Sequence, residues 1–330
     1  MNWDALTQKK EQLDAYRPLP PALVQNLDEW FRVELTYTSN AIEGNTLTRR
    51  ETALVVEKGL TVGGKSLTEH LEATNHAAAL DWVRQQVSRA PDEVTVNDIL
   101  HLHTVILKGI DDANAGIIRS VPVRISGSRA VMPNPRKVPD LMDAFAAWLQ
   151  SASDLHPAEF AAMAHYELVS IHPFVDGNGR TARLLMNMIL MMQGYPPAII
   201  RKRDRLAYIT ALETAQTGGS LERYLKIIAK AVERSLDIYL KAMTDDGDAA
   251  DQASEPDDDT LLKIGELAKA AGEANSTIRH WISSGLIEVA DTTESGYQLF
   301  SPDMIKRAET IQSLKAERYT LAEIREKLLD

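Results

Sequence analysis

A strongly acidic stretch near residue 250 constrains the fold of this chain more than any other feature of its sequence. Residues 244–259 carry eight acidic side chains and no basic one, and they contain almost no bulky apolar residue. Such a segment cannot bury enough apolar surface to offset the entropy that ordering would cost. We therefore predict that it is a disordered linker and that the chain folds as separate parts on either side of it.

The composition excludes several kinds of chemistry. The chain has 330 residues, a net charge of −11 and no cysteine, so disulfides, thiolate metal sites and a cysteine nucleophile are excluded. The N-terminal residues lack the apolar core of a signal peptide. The longest strongly apolar run is far shorter than the ~20 residues that a membrane span needs. We expect a cytoplasmic protein without a membrane partner.

Apolar periodicity predicts that the chain before the acidic stretch is mainly α-helical. Between residues 21 and 43, apolar side chains recur every three to four residues, and Gly44 stands where a helix would end. The same spacing predicts six further helices, at residues 67–89, 95–109, 138–151, 157–171, 180–193 and 221–243. Residues 116–139 break this pattern with β-branched residues, then Gly127, then three prolines. We interpret this segment as a short β-hairpin or flap.

A polar cluster lies in the loop between two of these predicted helices. The segment HPFVDGNGRTAR, residues 172–183, ends in the second helix, whose first turn offers free N–H groups and the positive end of a dipole. Its glycines let a phosphate approach the backbone, and Arg180 and Arg183 share one helix face. Mg²⁺ between Asp176 and phosphate oxygens would relieve their repulsion, which leaves His172 to accept a proton. The cluster therefore indicates a polyphosphate site with a general base.

Taken singly, a histidine at a helix end and a DGNG turn are more often structural, but two arginines and an aspartate around one turn favour a function. The segment fits H-x-F-x-[DE]-G-N-G-R-x-x-R at every fixed position, and the chain therefore resembles the Fic family. Most Fic proteins are helical enzymes that transfer AMP from ATP to a hydroxyl of a target protein. The resemblance covers roughly residues 30–240. It implies a mainly α domain with a small β-hairpin flap, which would align the target segment as an added strand.

The resemblance implies a role for each residue of the motif. His172 would be the general base, Asp176 would hold Mg²⁺ against the α- and β-phosphates, and Phe174 would anchor the loop in the core. The nucleotide-binding residues would be Gly177, Asn178, Gly179, Arg180 and Arg183. The two arginines would bind the β- and γ-phosphates of ATP. The acceptor would be a Ser, Thr or Tyr hydroxyl of a target protein or of the chain itself.

A second motif lies upstream of the first. SNAIEG, residues 39–44, fits [ST]-x-x-x-E-[GN], the inhibitory-helix motif of many Fic proteins. Glu43 ends a predicted helix, where its charge meets the negative end of the dipole and a cationic partner would stabilise it. The resemblance implies that this partner is Arg183 and that Ser39 helps to fix the geometry. Glu43 would then take the place of the γ-phosphate; the alternative is a solvated glutamate at a helix terminus.

The remaining histidines give no pattern that predicts a metal site. His101 and His103 lie two residues apart, which places them on different faces of a helix. We interpret His165 as a residue that packs or forms a hydrogen bond behind the loop rather than as a ligand.

The residues after the acidic stretch predict a second domain. The pattern IGELA…TIRHW…GLI…SGYQLF resembles the winged helix-turn-helix of MerR-type regulators, with a two-stranded wing that turns near Ser295–Gly296. The predicted core residues are Ile264, Leu267, Ala268, Ile278, Trp281 and Ile282. The module is slightly acidic, and Gln298 stands in the wing where a basic residue is usual, which weakens the case for DNA. DNA binding, target recognition and self-association as a homodimer remain open.

Together the two resemblances imply an autoinhibited protein adenylyltransferase with a C-terminal accessory domain. Its parts are a helical region at 1–110 that holds the inhibitory helix 21–44, a Fic core at 111–243, the linker 244–259, and the winged helix-turn-helix at 260–330. One alternative keeps the site but uses it to remove AMP or to transfer another nucleotide. A second alternative is a DNA-binding regulator whose Fic domain senses a nucleotide. The presence of His172 favours an enzyme, because a sensor needs no base.

Overall fold

The computed structural model describes residues 3–151, 154–244, 261–292, 297–301, 303–316 and 319–328. Packing divides the chain into two units, residues 1–200 with 210–253 and residues 201–209 with 254–330. Apart from Thr244, the predicted linker 244–259 lies outside the described residues. Among the described residues, no helix is both long enough and apolar enough to cross a membrane.

The predicted helical character of the chain before the acidic stretch is confirmed. The helices are α1 Asp4–Asp14, α2 Pro21–Ile42, α3 Arg49–Lys58, α4 Leu67–Gln85, α5 Val96–Leu107, α6 Val138–Ser151, α7 Pro157–Ile171, α8 Asn178–Met192, α9 Arg205–Gln216 and α10 Glu222–Thr244. The seven predicted helices are all present, with ends within two residues of the predicted ones except that α4 ends four residues early; α1, α3 and α9 were not predicted. Helix α8 begins two residues before its predicted start, because Gly177 caps it in the left-handed conformation at φ 75°. The polar motif therefore extends into the first turn of α8.

Local sequence fixes where several of these helices begin. Each of α3, α4 and α5 starts with a reciprocal capping box, in which a hydroxyl and a carboxylate three residues later accept each other's main-chain N–H. The pairs are Thr48 with Glu51, Ser66 with Glu69, and Thr95 with Asp98. Such caps define the start of each helix and hence the register of the side chains that it presents to its neighbours.

Helix α8 forms the centre of the first unit. Every residue from Arg180 to Leu190 is buried, so this helix is covered on all sides by protein. Helices α2, α4, α5 and α7 pack against it, and α7 makes the most extensive contact. The loop between α7 and α8 is therefore held at one end of a buried helix pair, where the surrounding helices can reach it.

The flap differs from the predicted β-hairpin. Residues 117–134, here called the flap segment, turn back at Ile125–Ser128, where the Ser128 N–H donates to the Ile125 carbonyl at 3.1 Å. No residue of the flap segment belongs to a strand. Pro122 and Pro133 have no N–H to donate to a ladder, which disfavours paired strands in these arms.

The second unit contains the expected helix-turn-helix and wing. Besides residues 201–209, which include the start of α9, its elements in the described residues are β1 Leu262–Lys263, α11 Ile264–Ala270, α12 Asn275–Ser283, β2 Asp291–Thr292, β3 Gln298–Phe300, α13 Asp303–Ala316 and α14 Leu321–Lys327. The antiparallel sheet has the order β1-β3-β2. Strand β1 is an addition to the two predicted strands, and the predicted turn near Ser295–Gly296 lies outside the described residues.

The core of the second unit agrees with the sequence pattern. Leu267, Ala268, Ile278 and Trp281 are buried in one cluster, and they pack with partly buried apolar side chains that include Ile264 and Ile282. Phe300 of β3 is also fully buried in this cluster. The wing is thus attached to the helices through its last strand.

Candidate functional site

The loop between α7 and α8 begins with an unusual backbone conformation at His172. Its φ of 51° and ψ of 60° are left-handed, and it is the one non-glycine residue with positive φ among those described. Its N–H donates to the Leu168 carbonyl at 2.9 Å and closes the last turn of α7. Glycine is the usual residue at such a position, because a side chain there is strained. A histidine retained in this conformation suggests a function that needs its side chain.

The tautomer of His172 follows from its contact with the main chain. Its Nδ1 lies 3.3 Å from the Val169 carbonyl oxygen, which can only accept a hydrogen bond. Nδ1 therefore carries the proton, and Nε2 keeps a lone pair. Burial lowers the pKa of His172 below its ordinary value, and the nearby charge of Arg119 lowers it further. The imidazole is thus favoured in the neutral form, in which Nε2 can accept a proton.

Asn178 closes the loop on itself. Its side-chain oxygen accepts the N–H of Phe174 at 2.9 Å, and its amide nitrogen donates to the Phe174 carbonyl at 3.0 Å. Both polar atoms of the side chain are therefore committed to the loop. As the first residue of α8, Asn178 can contribute its main-chain N–H to a bound anion. Phe174 itself is fully buried, as predicted.

His103 of α5 supports the loop from beneath. Its ring stacks on Phe174 with centroids 3.6 Å apart and planes at 4°. Its Nδ1 accepts the N–H of Gly116 at 2.9 Å, so Nε2 carries the proton and donates to the Asp176 carbonyl at 2.9 Å. Burial lowers the pKa of His103 to about 4, in keeping with this neutral tautomer. Sequence reasoning missed this role, because the partners lie far away in the sequence.

The glycines of the motif allow neighbouring groups to approach the backbone more closely than a side chain would permit. A Cβ atom on Gly179 would lie 2.3 Å from Oε1 of Glu43 and 3.0 Å from Nη1 of Arg183. Gly177 provides no side-chain cap to α8, so the positive end of the helix dipole faces the loop. A helix N-terminus that lacks a side-chain cap and lies beside arginine side chains is suited to phosphate groups.

The two arginines of the motif have different partners. Arg180 donates from Nη1 to Glu72 of α4 at 2.9 Å and from Nη2 to Asp176 at 3.3 Å. Arg183 donates from Nη2 to Glu43 at 2.7 Å. The structure therefore brings Glu43 to the predicted arginine, and it adds Glu72, which the sequence gave no reason to single out.

The end of α2 holds Arg183 through three hydrogen bonds. Besides the Glu43 contact, Arg183 donates from Nε to Oγ of Ser39 at 3.0 Å and from Nη2 to the Ser39 carbonyl at 2.8 Å. The Arg183 side chain is 6% exposed, whereas that of Glu43 is 38% exposed. A buried cation is thus neutralised by a carboxylate that is partly open to solvent.

Of the carboxylates in the two motifs, Asp176 is more exposed to solvent than Glu43. Its side chain is 69% exposed, and it contacts Arg180. Among the described residues, no group of three or more histidine, aspartate or glutamate side chains could hold a metal ion. One carboxylate beside a phosphate site nevertheless fits Mg²⁺, which commonly binds one or two carboxylates together with substrate phosphates and water.

His165 and His101 do not join this site. His165 is fully buried, and its Nδ1 lies 2.8 Å from the Tyr224 hydroxyl, which agrees with the interpretation of a residue behind the loop. Burial lowers its pKa to about 3. His101 lies on the other side of α5 from His103 and contacts the Trp82 ring.

Comparison with known proteins places the chain in a family. Residues 93–190 match the family model described as Fic/DOC family. The solved structure of a Fic-1 fragment from C. elegans is 35% identical with a TM-score of 0.64, over 73% of this chain and 71% of that one. A Fic domain-containing signalling protein from Bacteroides thetaiotaomicron is 30% identical with a TM-score of 0.63, over 73% and 97%. The chain belongs to the Fic family, which confirms the resemblance of its motif.

One relative found by sequence comparison is named for its activity. The protein adenylyltransferase Fic of Nematostella vectensis is 44% identical over 210 residues, which make up 63% of this chain and 48% of that protein. This chain therefore spans about half of the length of the relative. Residues 262–330 match a different family model, described as MerR HTH family regulatory protein, which confirms the second resemblance.

Proposed function

We propose that this chain is a protein adenylyltransferase that transfers AMP from ATP to a Ser, Thr or Tyr hydroxyl of a target protein and of itself. The observation that carries the proposal is the placement of His172, whose Nδ1 contacts the Val169 carbonyl and leaves Nε2 available as a base, in the loop that leads into an uncapped helix N-terminus with two arginines. The named activity of the Nematostella vectensis relative supports it.

The reaction is a displacement at the α-phosphorus. The target hydroxyl gives its proton to Nε2 of His172, and its oxygen forms a bond to the α-phosphorus of ATP. The bond from that phosphorus to the bridging oxygen breaks, and pyrophosphate leaves. The main chain of Gly177, Asn178 and Gly179 holds the phosphates at the start of α8, and Arg180 and Arg183 balance the charge of the β- and γ-phosphates.

Asp176 is the residue that would hold Mg²⁺. Its exposed carboxylate lies at the edge of the phosphate site, and the ion would supply positive charge to the α- and β-phosphates when bound. Asp176 also accepts a hydrogen bond from Arg180 and so helps to orient that arginine.

Glu43 restrains this activity by holding Arg183. The carboxylate occupies the partner that the γ-phosphate requires, and Ser39 fixes the same guanidinium from the preceding turn of α2. ATP that binds while this contact persists lacks one of its phosphate partners and lies in an unproductive pose. The 38% exposure of the Glu43 side chain lets solvent and substrate compete for the contact.

The domain organisation is part of the proposal. We place the inhibitory helix 21–44 in an N-terminal helical region at 1–110, the Fic core at 111–243, a linker at 244–259 and a winged helix-turn-helix at 260–330. The Fic core also depends on α5, because His103 supports the motif loop and the family match begins at residue 93. The absence of cysteine is compatible with a cytoplasmic location.

DNA binding by the second unit is a second candidate function. The match of residues 262–330 to MerR HTH regulators favours it. Arg279 and His280 lie exposed on α12, the second helix of the helix-turn-helix, where a reading helix presents side chains to a groove. Recognition of the target protein and self-association as a homodimer are the competing roles for this unit.

Intact-protein mass spectrometry tests the proposed reaction. Wild type, Glu43→Ala and His172→Ala are incubated with Mg²⁺ and each nucleoside triphosphate in turn. We expect ATP to add the mass of one AMP to chains that retain His172, and the His172→Ala rate to fall ~10²–10⁴-fold with ATP affinity by calorimetry nearly unchanged. Transfer by His172→Ala within a few-fold of wild type would remove His172 from the role of base. A gain from another nucleotide alone contradicts the assignment of ATP, and no gain from any of them contradicts transfer.

A further inference from the structure

Arg119 joins the motif loop to both arms of the flap segment. Its Nε donates to the carbonyl of His172 at 2.7 Å, its Nη1 to the carbonyl of Val121 at 3.0 Å, and its Nη2 to the carbonyl of Pro133 at 2.8 Å. Its main-chain N–H donates to the Pro173 carbonyl at 2.9 Å. One side chain thus contacts the residue proposed as the base and the two arms of the flap segment at once.

The charge of Arg119 is buried without a carboxylate partner. The residue is 3% exposed, and in the described part of the chain its side-chain hydrogen bonds all go to neutral carbonyls. Burial lowers the pKa of Arg119, and no carboxylate opposes that effect. A buried, unpaired cation is costly, and neutral donors could have bound the same carbonyls. The position therefore calls for both the planar donors and the charge of arginine.

Two features of the site explain what this arginine does. The flap segment has no strand pairing, and Arg119 connects its arms through Val121 and Pro133 in place of a ladder. The His172 backbone is in the left-handed conformation, and Arg119 donates to its carbonyl. A donor at that carbonyl holds the strained conformation in place.

We propose that Arg119 is a positioning residue that couples the flap segment to His172, so that the flap and the base are held in one fixed arrangement. The coupling deepens, and rests on, the proposed transfer of AMP. A lysine cannot replace the arginine, because an ammonium group has no planar fork that reaches three separated carbonyls. Release of the His172 carbonyl would let Nε2 move, and a displacement near 1 Å can cost ~10²-fold in rate.

The same arrangement gives Arg119 a second, measurable effect on His172. Burial is the main cause of the lowered pKa of His172; among the charged groups that face it, Arg119 lowers the pKa, whereas Glu43 at the end of α2 and Asp176 in the loop raise it. Removal of the Arg119 charge should therefore raise the pKa of His172. Because the base acts in its neutral form, the acid limb of the rate profile should then move to higher pH.

The test compares Arg119→Gln and Arg119→Lys with wild type and with Arg223→Gln, a matched control at an exposed position of α10. Folding is checked by circular dichroism and ATP affinity by calorimetry. Transfer rates are measured against ATP concentration and pH, and the pKa of His172 is measured by NMR titration, with its signal identified by comparison with His172→Ala.

We expect Arg119→Gln to lower kcat ~100-fold, to leave ATP affinity within threefold, and to raise the pKa of His172. Arg119→Lys should keep that pKa and still lose at least tenfold in kcat, while Arg223→Gln should resemble wild type. A kcat within threefold of wild type in either folded variant overturns the proposal, as does a loss of kcat that only follows a loss of ATP affinity. If Arg119→Gln does not fold, Arg119→Lys decides the question on the same criteria.

The NMR titration separates this inference from the proposed function. If wild type transfers no nucleotide, the proposed reaction fails, but the pKa of His172 still reports on Arg119. An unchanged pKa in Arg119→Gln overturns the coupling, and a raised pKa supports it whatever the reaction is.

Discussion

Two histidines with opposite tautomers set the chemistry of the motif loop at the scale of single residues. His172 carries its proton on Nδ1, which leaves Nε2 as a base, whereas His103 carries its proton on Nε2 and donates it to the Asp176 carbonyl. In both cases a main-chain group fixes the tautomer. One histidine can therefore take up a proton during reaction, and the other has no free nitrogen with which to do so.

His103→Phe tests the supporting role at residue scale. Phenylalanine retains an aromatic ring against Phe174 but removes the partners of the Gly116 N–H and the Asp176 carbonyl. A buried polar group left without a partner costs about 1–3 kcal/mol, and both of these hydrogen bonds are only partly buried, so the free energy of unfolding should fall by about 1–3 kcal/mol in total, and the transfer rate should fall with it. Urea denaturation measures the first effect and the transfer assay the second.

His101→Phe is the matched control for this prediction, because His101 is exposed on the same helix and its contact with the Trp82 ring can persist. It should change the free energy of unfolding by less than ~0.5 kcal/mol. Equal effects of the two substitutions would contradict the role assigned to His103.

At the scale of elements, the sequence predicted those helices and contacts that depend on the spacing of residues close together in the chain. The period of apolar residues predicted α2, α6 and α7 nearly to the residue, because each buries one continuous face or is buried throughout. The placement of Ser39 and Glu43 four residues apart put both on one side of α2, where they meet Arg183. Motif and periodicity together were therefore sufficient to predict these helices and the contact between the end of α2 and Arg183.

Elements that depend on long-range contacts could not be predicted in this way. Glu72 contacts a residue 108 positions away, and Arg119 contacts one 53 positions away, so neither has a local signal. The flap segment has the β-branched residues of a strand, but its prolines and the Arg119 side chain replace a ladder. Strand β1 has two residues, too few for a detectable alternation.

At the scale of the whole molecule, the chain combines a Fic unit with a MerR-like unit. The first contains every residue of the proposed site, and the second has its own buried core around Trp281.

We predict that a chain ending at Thr244 folds and still transfers AMP to itself, because each unit has a core of its own. Thermal melting and the transfer assay measure this, and an unfolded or inert fragment would show that the two units share a core or a site.

The same truncation tests the DNA-binding role. The full chain should shift DNA in a gel at low salt, with an affinity that falls steeply as salt increases, and the chain ending at Thr244 should not. A full chain that shifts no DNA at low salt would assign the second unit to recognition of the target protein or to self-association.

The restraint of a transferase by its own α2 helix is the central claim, and the rate gained when Glu43 is removed tests it most directly. Radiolabelled ATP is used to compare wild type with Glu43→Gly and Glu43→Ala, the second because glycine also loosens the end of the helix. A charge-assisted hydrogen bond contributes about 1.5–3 kcal/mol, and the 38% exposure of the Glu43 side chain favours the lower value, so we predict a rise of about tenfold or more. If neither variant is faster than wild type, the inhibitory role assigned to the contact between Glu43 and Arg183 is wrong. The contact with Arg183 is then only structural, or Glu43 serves in AMP removal if Glu43→Ala can no longer strip AMP from a modified target.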